Sequence, residues 1–200
     1  MTSGRRSFAV ILAAVFFCGA FTFPLRSIAQ DAPSTAQPPE ASSLWIDVPF
    51  VKQPREGCGP ASISMVMLYW NQKNPRTYPV SSDVNAIQSV LYSKREKGIS
   101  GASMQKYFKQ AGFDVFPFRG QWEDLGHHIA KGRPLIVGLA ASGGERPLHF
   151  VVVVGVDDSH GYVYINDPDG QKLTRVSREN FLREWAVTDY WTLLPVPSSG

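Results

Sequence analysis

The sequence contains few cysteines, and this scarcity excludes one class of protein. Only two of its 200 residues are cysteine, Cys18 near the N-terminus and Cys58 in the body of the chain. A disulfide-stapled scaffold is excluded, because the body holds a single cysteine. With 44% hydrophobic and 18% charged residues, the chain has enough apolar material for one core. Its length excludes a large multidomain assembly.

The sequence also lacks a strong excess of charge. Its formal net charge is +3, but three of the 20 basic residues, Arg5, Arg6 and Arg26, lie within residues 1–29, where no acidic residue occurs. The rest of the chain carries 17 basic and 17 acidic side chains. Proteins that bind nucleic acid or anionic lipid present a basic surface, so neither is expected as a partner.

The N-terminal segment, 1–29, has the pattern of a secretory signal. Arg5 and Arg6 precede the uncharged, mostly apolar stretch 8–23, and 27–29 (Ser-Ile-Ala) forms a small-x-small cleavage site. The apolar stretch is shorter than the ~20 residues that span a bilayer. We therefore expect export to the periplasm or the extracellular space, with no stable membrane span after processing. An uncleaved anchor is the alternative.

The rest of the chain divides into a linker and one domain. Residues 30–43 contain three prolines and no aromatic residue, which predicts a flexible linker. The predicted domain covers residues 44–195, the size of an ordinary domain, and 196–200 form a tail.

Hydrophobic periodicity changes halfway along this domain. Apolar residues have helical spacing in the first half and strand-like spacing in the second. This order predicts an α+β fold, with a helical N-terminal half packed on a C-terminal antiparallel β-sheet. The predicted helices are 59–71, 82–92, 100–111, 122–131 and 178–185. The predicted strands are 45–51, 113–118, 134–140, 150–156, 162–166, 172–176 and 190–194.

Cys58 is the first candidate for chemistry, in the sequence Gly57-Cys58-Gly59-Pro60. Proline fits the first turn of a helix, where its missing N–H is unpaired anyway, so Cys58 is expected at a helix N-terminus. The positive end of the helix dipole favours the nucleophilic thiolate. Gly57 and Gly59 would let a substrate backbone approach the sulfur and leave N–H groups accessible to an oxyanion. The alternative is a buried structural cysteine.

Among the four histidines, His149 is the best candidate for a base. It precedes the apolar run 150–156, which predicts a central strand able to hold an imidazole rigidly. His127 and His128 lie on a predicted helix, where adjacent side chains point about 100° apart and cannot converge on one thiol or metal. His160 lies in a polar turn. A histidine hydrogen-bonded at the edge of the core is the alternative for His149.

The next hairpin supplies an acid. If the chain reverses within 157–160, His149 comes opposite Pro168, next to Asp167, within one residue. Cross-strand neighbours lie about 5 to 8 Å apart at Cβ, which lets a carboxylate accept from an imidazole N–H and fix its tautomer. A register shifted by one residue would bring Asn166 there instead. Asp167 as a simple turn-forming residue is the other interpretation.

Together these segments resemble a known family. The sequences VPFVKQ at 48–53, GCGPAS at 57–62, HFVVV at 149–153 and NDP at 166–168 are similar to papain-like peptidases typified by bacteriocin leader-processing domains and their stand-alone relatives. The resemblance covers most of 44–195. It implies a papain-like fold and cysteine peptidase chemistry.

The resemblance also implies a role for each matching residue. Cys58 would be the nucleophile, His149 the general base and Asp167 the residue that orients it. Gln53 would donate its side-chain amide to the oxyanion, beside the Cys58 backbone N–H. The residues expected to contact substrate are Gly57, Gly59 and Leu148.

We therefore expect an exported, stand-alone cysteine peptidase that cleaves a peptide or protein substrate as a monomer, with no metal and no cofactor. The alternatives are a papain-like transpeptidase or cell-wall amidase, and a catalytically silent peptide-binding module of the same fold. The aromatic residues Trp185, Tyr190 and Trp191 are predicted to pack the end of the sheet, with a peptide groove as the alternative.

Overall fold

The computed structural model describes residues 43–140 and 148–199. The predicted signal, 1–29, and all but the last residue of the predicted linker, 30–43, lie outside the described residues. Within the described ranges, no helix has both the length and the apolar character that a membrane crossing needs.

The described chain forms five helices and a seven-stranded sheet. The helices are α1 (Cys58–Lys73), α2 (Val84–Leu91), α3 (Gly101–Gln110), α4 (Trp122–Ala130) and α5 (Arg178–Ala186). The strands are β1 (Leu44–Trp45), β2 (Phe113–Arg119), β3 (Leu135–Leu139), β4 (His149–Asp157), β5 (Tyr162–Asn166), β6 (Thr174–Ser177) and β7 (Trp191–Pro197). All but one of the predicted elements are present with ends that shift by at most three residues.

The sheet has the strand order β2-β7-β3-β4-β5-β6, and β1 pairs with β4. All of these pairings are antiparallel, which confirms the α+β prediction. Strand β2 comes from the helical half of the sequence but forms one edge of the sheet against β7. Strand β4 is central, with β3 on one side and β5 on the other.

The core consists of two apolar clusters, one on each face of the sheet. Alternating residues of β4 explain the division, because successive side chains of a strand point to opposite faces. Phe150 and Val152 pack in the cluster that contains α1, whereas Val151 and Val153 pack in the cluster with α4 and α5. The run of valines is therefore apolar on both faces, as a central strand requires.

The predicted strand 45–51 is wrong for most of its length. Only Leu44 and Trp45 pair with β4 as a strand. Pro49 has no N–H to donate, so a continuous ladder cannot extend through it. The segment instead makes isolated hydrogen bonds, such as the Ile46 N–H donating to Val154 O at 2.8 Å.

Two other ends differ from the prediction. Strand β6 begins at Thr174 and not at 172, because Leu173 has φ of +55°, in the left-handed region that no strand residue adopts. Strand β7 continues to Pro197, so it includes two residues of the predicted tail, 196–200.

Candidate active site

Cys58 is the first residue of α1, as the sequence predicted. The N-cap is Gly57, and no side chain caps this helix end. Because no side chain occupies this helix end, its free N–H groups and the positive end of its dipole lie next to the thiol. The Cys58 side chain is buried, with a relative exposure of 7%.

Both glycines beside Cys58 are required by packing within the chain. A Cβ at Gly59 would lie 2.4 Å from the Ile99 side chain, and a Cβ at Gly57 would lie 2.7 Å from Pro54 and from Gln88 Oε1. Contacts this short force a displacement, so any larger residue would disturb the start of α1. Substrate contact by these glycines stays a prediction.

His149 is the first residue of β4 and pairs with Leu139 of β3. Its Nε2 lies 2.7 Å from Asp167 Oδ1, which is hydrogen-bond distance. An ionised carboxylate only accepts, so the proton of this bond belongs to Nε2 and the other nitrogen, Nδ1, is left for the thiol. The same Asp167 oxygen accepts from the Asp169 backbone N–H at 2.9 Å, which fixes the carboxylate.

The strand register near this pair is shifted by one residue from the predicted one. Val152 pairs with Asn166, after which β5 ends and the chain turns at Asp167. Asn166 is not the partner of the histidine, because its side chain donates to Val48 O at 3.0 Å and accepts from the Leu173 N–H at 3.0 Å. The structure thus brings Cys58, His149 and Asp167 together and leaves Asn166 in a structural role.

The electrostatics of the three side chains favour a charged pair. Burial alone lowers the pKa of His149, but hydrogen bonds and charge attraction to Asp167 and Cys58 outweigh it and raise the pKa to about 10. Burial alone raises the pKa of Cys58, but its interactions with His149 and with the backbone of Phe150 and Gly59 lower it overall. The pKa of Asp167 is lowered despite burial by its bond to His149. These shifts favour a thiolate beside an imidazolium over a neutral thiol beside a neutral imidazole.

Gln53 is held by the loop that carries Asp167. Its backbone N–H donates to Pro168 O at 3.0 Å, and its side-chain Nε2 donates to Asp169 Oδ1 at 2.6 Å. Lys52 Nζ also donates to the carbonyl oxygens of Asp169 and Gly170. Among the described residues, Gln53 Oε1 is buried without a hydrogen-bond partner.

Sequence reasoning missed Asp169 as a contact of Gln53. The only available signal was the second acid in Asn-Asp-Pro-Asp-Gly at 166–170, and nothing local distinguishes it from an ordinary turn residue.

Leu148 lines a cavity at the thiol, and Trp191 lines a neighbouring one. A cavity of about 540 Å³ contains Cys58, Leu148 and Phe150 in its lining, and substrate contact by Leu148 stays a prediction. A second cavity of about 470 Å³ shares Leu148 and Phe150 and adds Trp191. Of the predicted aromatic cluster, Trp185 is fully buried in the apolar cluster with α4 and α5, whereas Trp191 lines this second cavity.

Asp157, Ser159 and His160 are the residue types of a serine triad, but their hydrogen bonds are not those of a triad. His160 Nδ1 lies 2.9 Å from Asp157 Oδ2 and 3.1 Å from Ser159 Oγ, so one nitrogen meets both partners. The Ser159 hydroxyl donates to Asp157 Oδ1 at 2.7 Å and not to a base. This group stabilises the turn between β4 and β5. Among the described residues, no cluster of three His, Cys, Asp or Glu side chains could hold a metal ion.

Solved structures share this fold. A protein described as a C39-like peptidase from Bacillus anthracis has a TM-score of 0.61 and 18% identity, over 79% of this chain and 99% of that one. The peptidase domain of Streptococcus ComA, a bifunctional ABC transporter, has a TM-score of 0.58 and 23% identity, over 74% and 98%. A double glycine motif protease of an AMS/PCAT transporter, solved with its leader peptide, has a TM-score of 0.57 and 23% identity, over 77% and 94%.

Sequence comparison identifies the family. No curated protein matches the chain significantly. The Peptidase_C39 like family matches residues 45–192, which is nearly all of the predicted domain. The solved structures have the papain-like α+β architecture of that family. The chain therefore belongs to the Peptidase_C39 like family.

Proposed function

We propose that the protein is a cysteine peptidase that hydrolyses peptide bonds through a thioester on Cys58. The observation that carries this proposal is the convergence of three side chains from distant parts of the sequence: Cys58 at the start of α1, His149 at the start of β4 and Asp167 just after β5. A structural cysteine would need neither the imidazole nor the carboxylate behind it.

The proposed reaction has two halves. In the first, the Cys58 thiolate forms a bond to the carbonyl carbon of the peptide, and the C–N bond then breaks as His149 gives its proton to the leaving amine. In the second, His149 takes a proton from water, whose oxygen forms a bond to the thioester carbon. The C–S bond then breaks, which releases the acid and regenerates the thiolate.

Two groups are proposed to donate hydrogen bonds to the oxyanion. The Cys58 backbone N–H lies at the uncapped start of α1, where such groups are free to bind an anion. The Gln53 side chain has two amide hydrogens, and one is bonded to Asp169. The second is the donor that we assign to the oxyanion, in a geometry fixed by the loop 167–170.

The substrate that we propose is a peptide or a protein. The related double glycine motif protease was solved in complex with a leader peptide, which supports a peptide as the class of substrate for this fold. We also propose that the protein acts after export, on the basis of the signal-like segment 1–29. The N-terminal sequence of the protein recovered outside the cytoplasm tests this, with a new N-terminus at Gln30 as the expected result.

Labelling with a thiol-directed peptidyl inhibitor, followed by peptide digestion, tests the chemistry. The wild-type protein should be labelled at Cys58 at pH 6 much faster than free cysteine and should cleave peptides, whereas Cys58→Ala should do neither. His149→Ala should lose both, and the matched control His160→Ala, which alters a histidine bonded to Asp157, should keep both. Thermal unfolding of each variant verifies that it is folded.

Two results would contradict the proposal. Hydrolysis retained by Cys58→Ala would exclude this nucleophile. A wild-type thiol that reacts no faster than free cysteine, with all peptides left intact, would indicate the peptide-binding module instead. Analysis of the products with an added amine or with muropeptides separates hydrolysis from acyl transfer and from amidase activity.

A further inference from the structure

A cleft with an apolar inner part adjoins the candidate nucleophile. Its first part is the 540 Å³ cavity at Cys58, where the loop before α3 contributes the charged residues Arg95, Glu96 and Lys97. Its second part is the 470 Å³ cavity at Trp191, which is lined by uncharged residues. The two parts share the wall residues Gly101, Leu148 and Phe150, so they adjoin each other. Each part has a volume within the roughly 300–1,000 Å³ of ordinary ligand pockets. The cleft therefore has room for much more than the atoms of a scissile bond.

The walls of the second part of the cleft offer apolar surface. Phe150 and Trp191 pack edge to face with ring centroids 5.2 Å apart, and Leu148 and Val187 add aliphatic groups. Val187 is 66% exposed, so its side chain is available to a ligand. Thr188 supplies a hydroxyl, but that hydroxyl is already bonded to two backbone carbonyl groups, at 2.6 and 2.9 Å. A polar side chain would find few partners there.

Glycines behind the walls let two of the lining side chains pack closely. A Cβ at Gly101 would lie 2.8 Å from the Trp191 ring, and a Cβ at Gly138 would lie 2.7 Å from the Leu148 side chain. Trp191 and Gly138 belong to paired strands, β7 and β3. The Trp191 wall is therefore held by the sheet, and binding against it would cost little ordering of that side chain.

We propose that this cleft binds a bulky apolar side chain, aromatic or branched aliphatic, of the substrate. The residue that carries this side chain lies within two positions of the scissile bond, and the inference rests on the proposed peptidase function. A peptide advances about 3.4 Å per residue, so a side chain one or two residues from the carbonyl above Cys58 reaches over the shared walls, Leu148 and Phe150. Burial of such a side chain stabilises the bound state, whereas glycine has no side chain to bury. The preferred substrates are therefore peptides with a large apolar residue next to the cleaved bond, in contrast to glycine pairs.

The first experiment measures kcat/KM for a peptide series with the wild-type protein. One position at a time, on either side of the cleaved bond, is Gly, Ala, Leu or Phe, with the other positions constant. At one position, Leu or Phe should exceed Gly by about 10- to 100-fold. Values equal within threefold at every position, or a preference for Gly, would overturn the inference.

The second experiment fills the cleft. Ala102 lines its second part from the exposed side of α3, so Ala102→Trp adds an indole there without removing core packing. This variant should lose the preference for Leu and Phe over Gly, whereas Lys109→Trp, at an exposed position of the same helix, should keep it. An unchanged preference in Ala102→Trp would also overturn the inference.

A binding measurement separates this inference from the proposed function. Cys58→Ala is titrated calorimetrically with the Phe peptide and the matching Gly peptide. Tighter binding of the Phe peptide by about tenfold or more, with no cleavage by the wild-type protein, supports the cleft and contradicts the peptidase. Cleavage by the wild-type protein with equal binding of both peptides supports the peptidase and contradicts the cleft.

Discussion

The hydrogen bond between His149 and Asp167 joins Nε2 of the ring to Oδ1 of the carboxylate at 2.7 Å. It decides which side of the imidazole can serve Cys58. With Nε2 occupied as a donor, Nδ1 is the nitrogen that exchanges a proton with the thiol. The bond also stabilises the protonated ring, which raises the pKa of His149, and an imidazolium in turn lowers the pKa of Cys58.

The pH dependence of activity should show a broad plateau. As pH falls, protonation of the Cys58 thiolate removes the nucleophile, but this occurs below the usual range of a cysteine because the pKa of Cys58 is lowered. As pH rises through the His149 pKa of about 10, the imidazolium loses the proton that the leaving amine needs. We expect kcat/KM to fall on both sides of the plateau.

Alkylation by iodoacetamide isolates the acid limb of this profile. It requires the thiolate but no proton donor, so its rate should rise with pH at the same point as kcat/KM and stay high above pH 10. A single rise near pH ~8.5, the behaviour of an isolated cysteine, would contradict the charged pair.

Substitution Asp167→Asn should lower kcat by about 10²- to 10⁴-fold. Without the carboxylate, burial is opposed only by the interactions with Cys58, so the pKa of His149 falls, the imidazolium is less favoured and the acid limb of the pH profile moves to higher pH. The matched control is Asp158→Asn, whose carboxylate is bonded to the Trp122 indole away from the candidate site. An unchanged pH profile for Asp167→Asn would assign this residue to the turn alone.

Substitution Gln53→Ala should lower kcat by about 10²- to 10³-fold, the cost of one oxyanion donor. Its rate of alkylation by iodoacetamide should stay unchanged, because alkylation develops no oxyanion. Loss of both rates together would mean that Gln53 only supports the local fold.

Substitution Asp169→Asn tests whether the carboxylate positions the Gln53 amide. It keeps the shape of the side chain but replaces the charge-assisted bond, 2.6 Å in this structure, with a weaker one. We expect a fall in kcat smaller than that of Gln53→Ala, with KM and the pH profile unchanged. A fall as large as that of Gln53→Ala, or none, would contradict this positioning role.

Acid stability should depend on Asp157, outside the candidate site. Burial alone raises the pKa of this carboxyl, but hydrogen bonds from Ser159, His160 and Ser43 outweigh it and lower the pKa to about 2. The pKa of an aspartate in the unfolded chain is ~3.9, so the lowered pKa of Asp157 stabilises the folded protein at pH values above this. The stabilisation is lost as the pH falls from there to about 2. Asp157→Asn should lower the free energy of unfolding at pH 7 by roughly 1.5–3 kcal/mol and flatten its dependence on pH below 4.

Urea unfolding at pH 7, 4 and 2.5 measures this effect. Asp158→Asn, in the same turn, is the control and should retain the stability of the wild-type protein. Equal stability of both variants at pH 7 would show that the hydrogen bonds of Asp157 contribute nothing net.

The parts of the site that sequence could predict are those set by local rules. Pro60 marks the first turn of a helix, which locates Cys58 at its N-terminus. The valine run after His149 marks a central strand, and the short hairpin limits its partner to Asn166 or Asp167. In the structure the partner of His149 is Asp167, because the Asn166 side-chain amide is hydrogen-bonded to the backbone of Val48 and Leu173.

The parts that sequence could not predict depend on contacts between distant segments. Trp191 belongs to a cavity wall only because α3 packs close to it at Gly101. Asp169 contacts Gln53 across 116 residues of sequence. Neither pairing leaves a periodic pattern, because periodicity reports which face of an element is buried and not which element covers it.

The contact between the segment before α1 and the loop after β5 determines when, during folding, the Cys58 thiol becomes reactive. Gln53 meets Pro168 and Asp169, and Cys58 meets His149, only after the two halves of the chain have docked. In the unfolded chain the same cysteine has neither an imidazolium nor a helix end beside it, so it behaves as an ordinary, mostly protonated thiol. The Cys58 thiol therefore becomes reactive only once folding is complete.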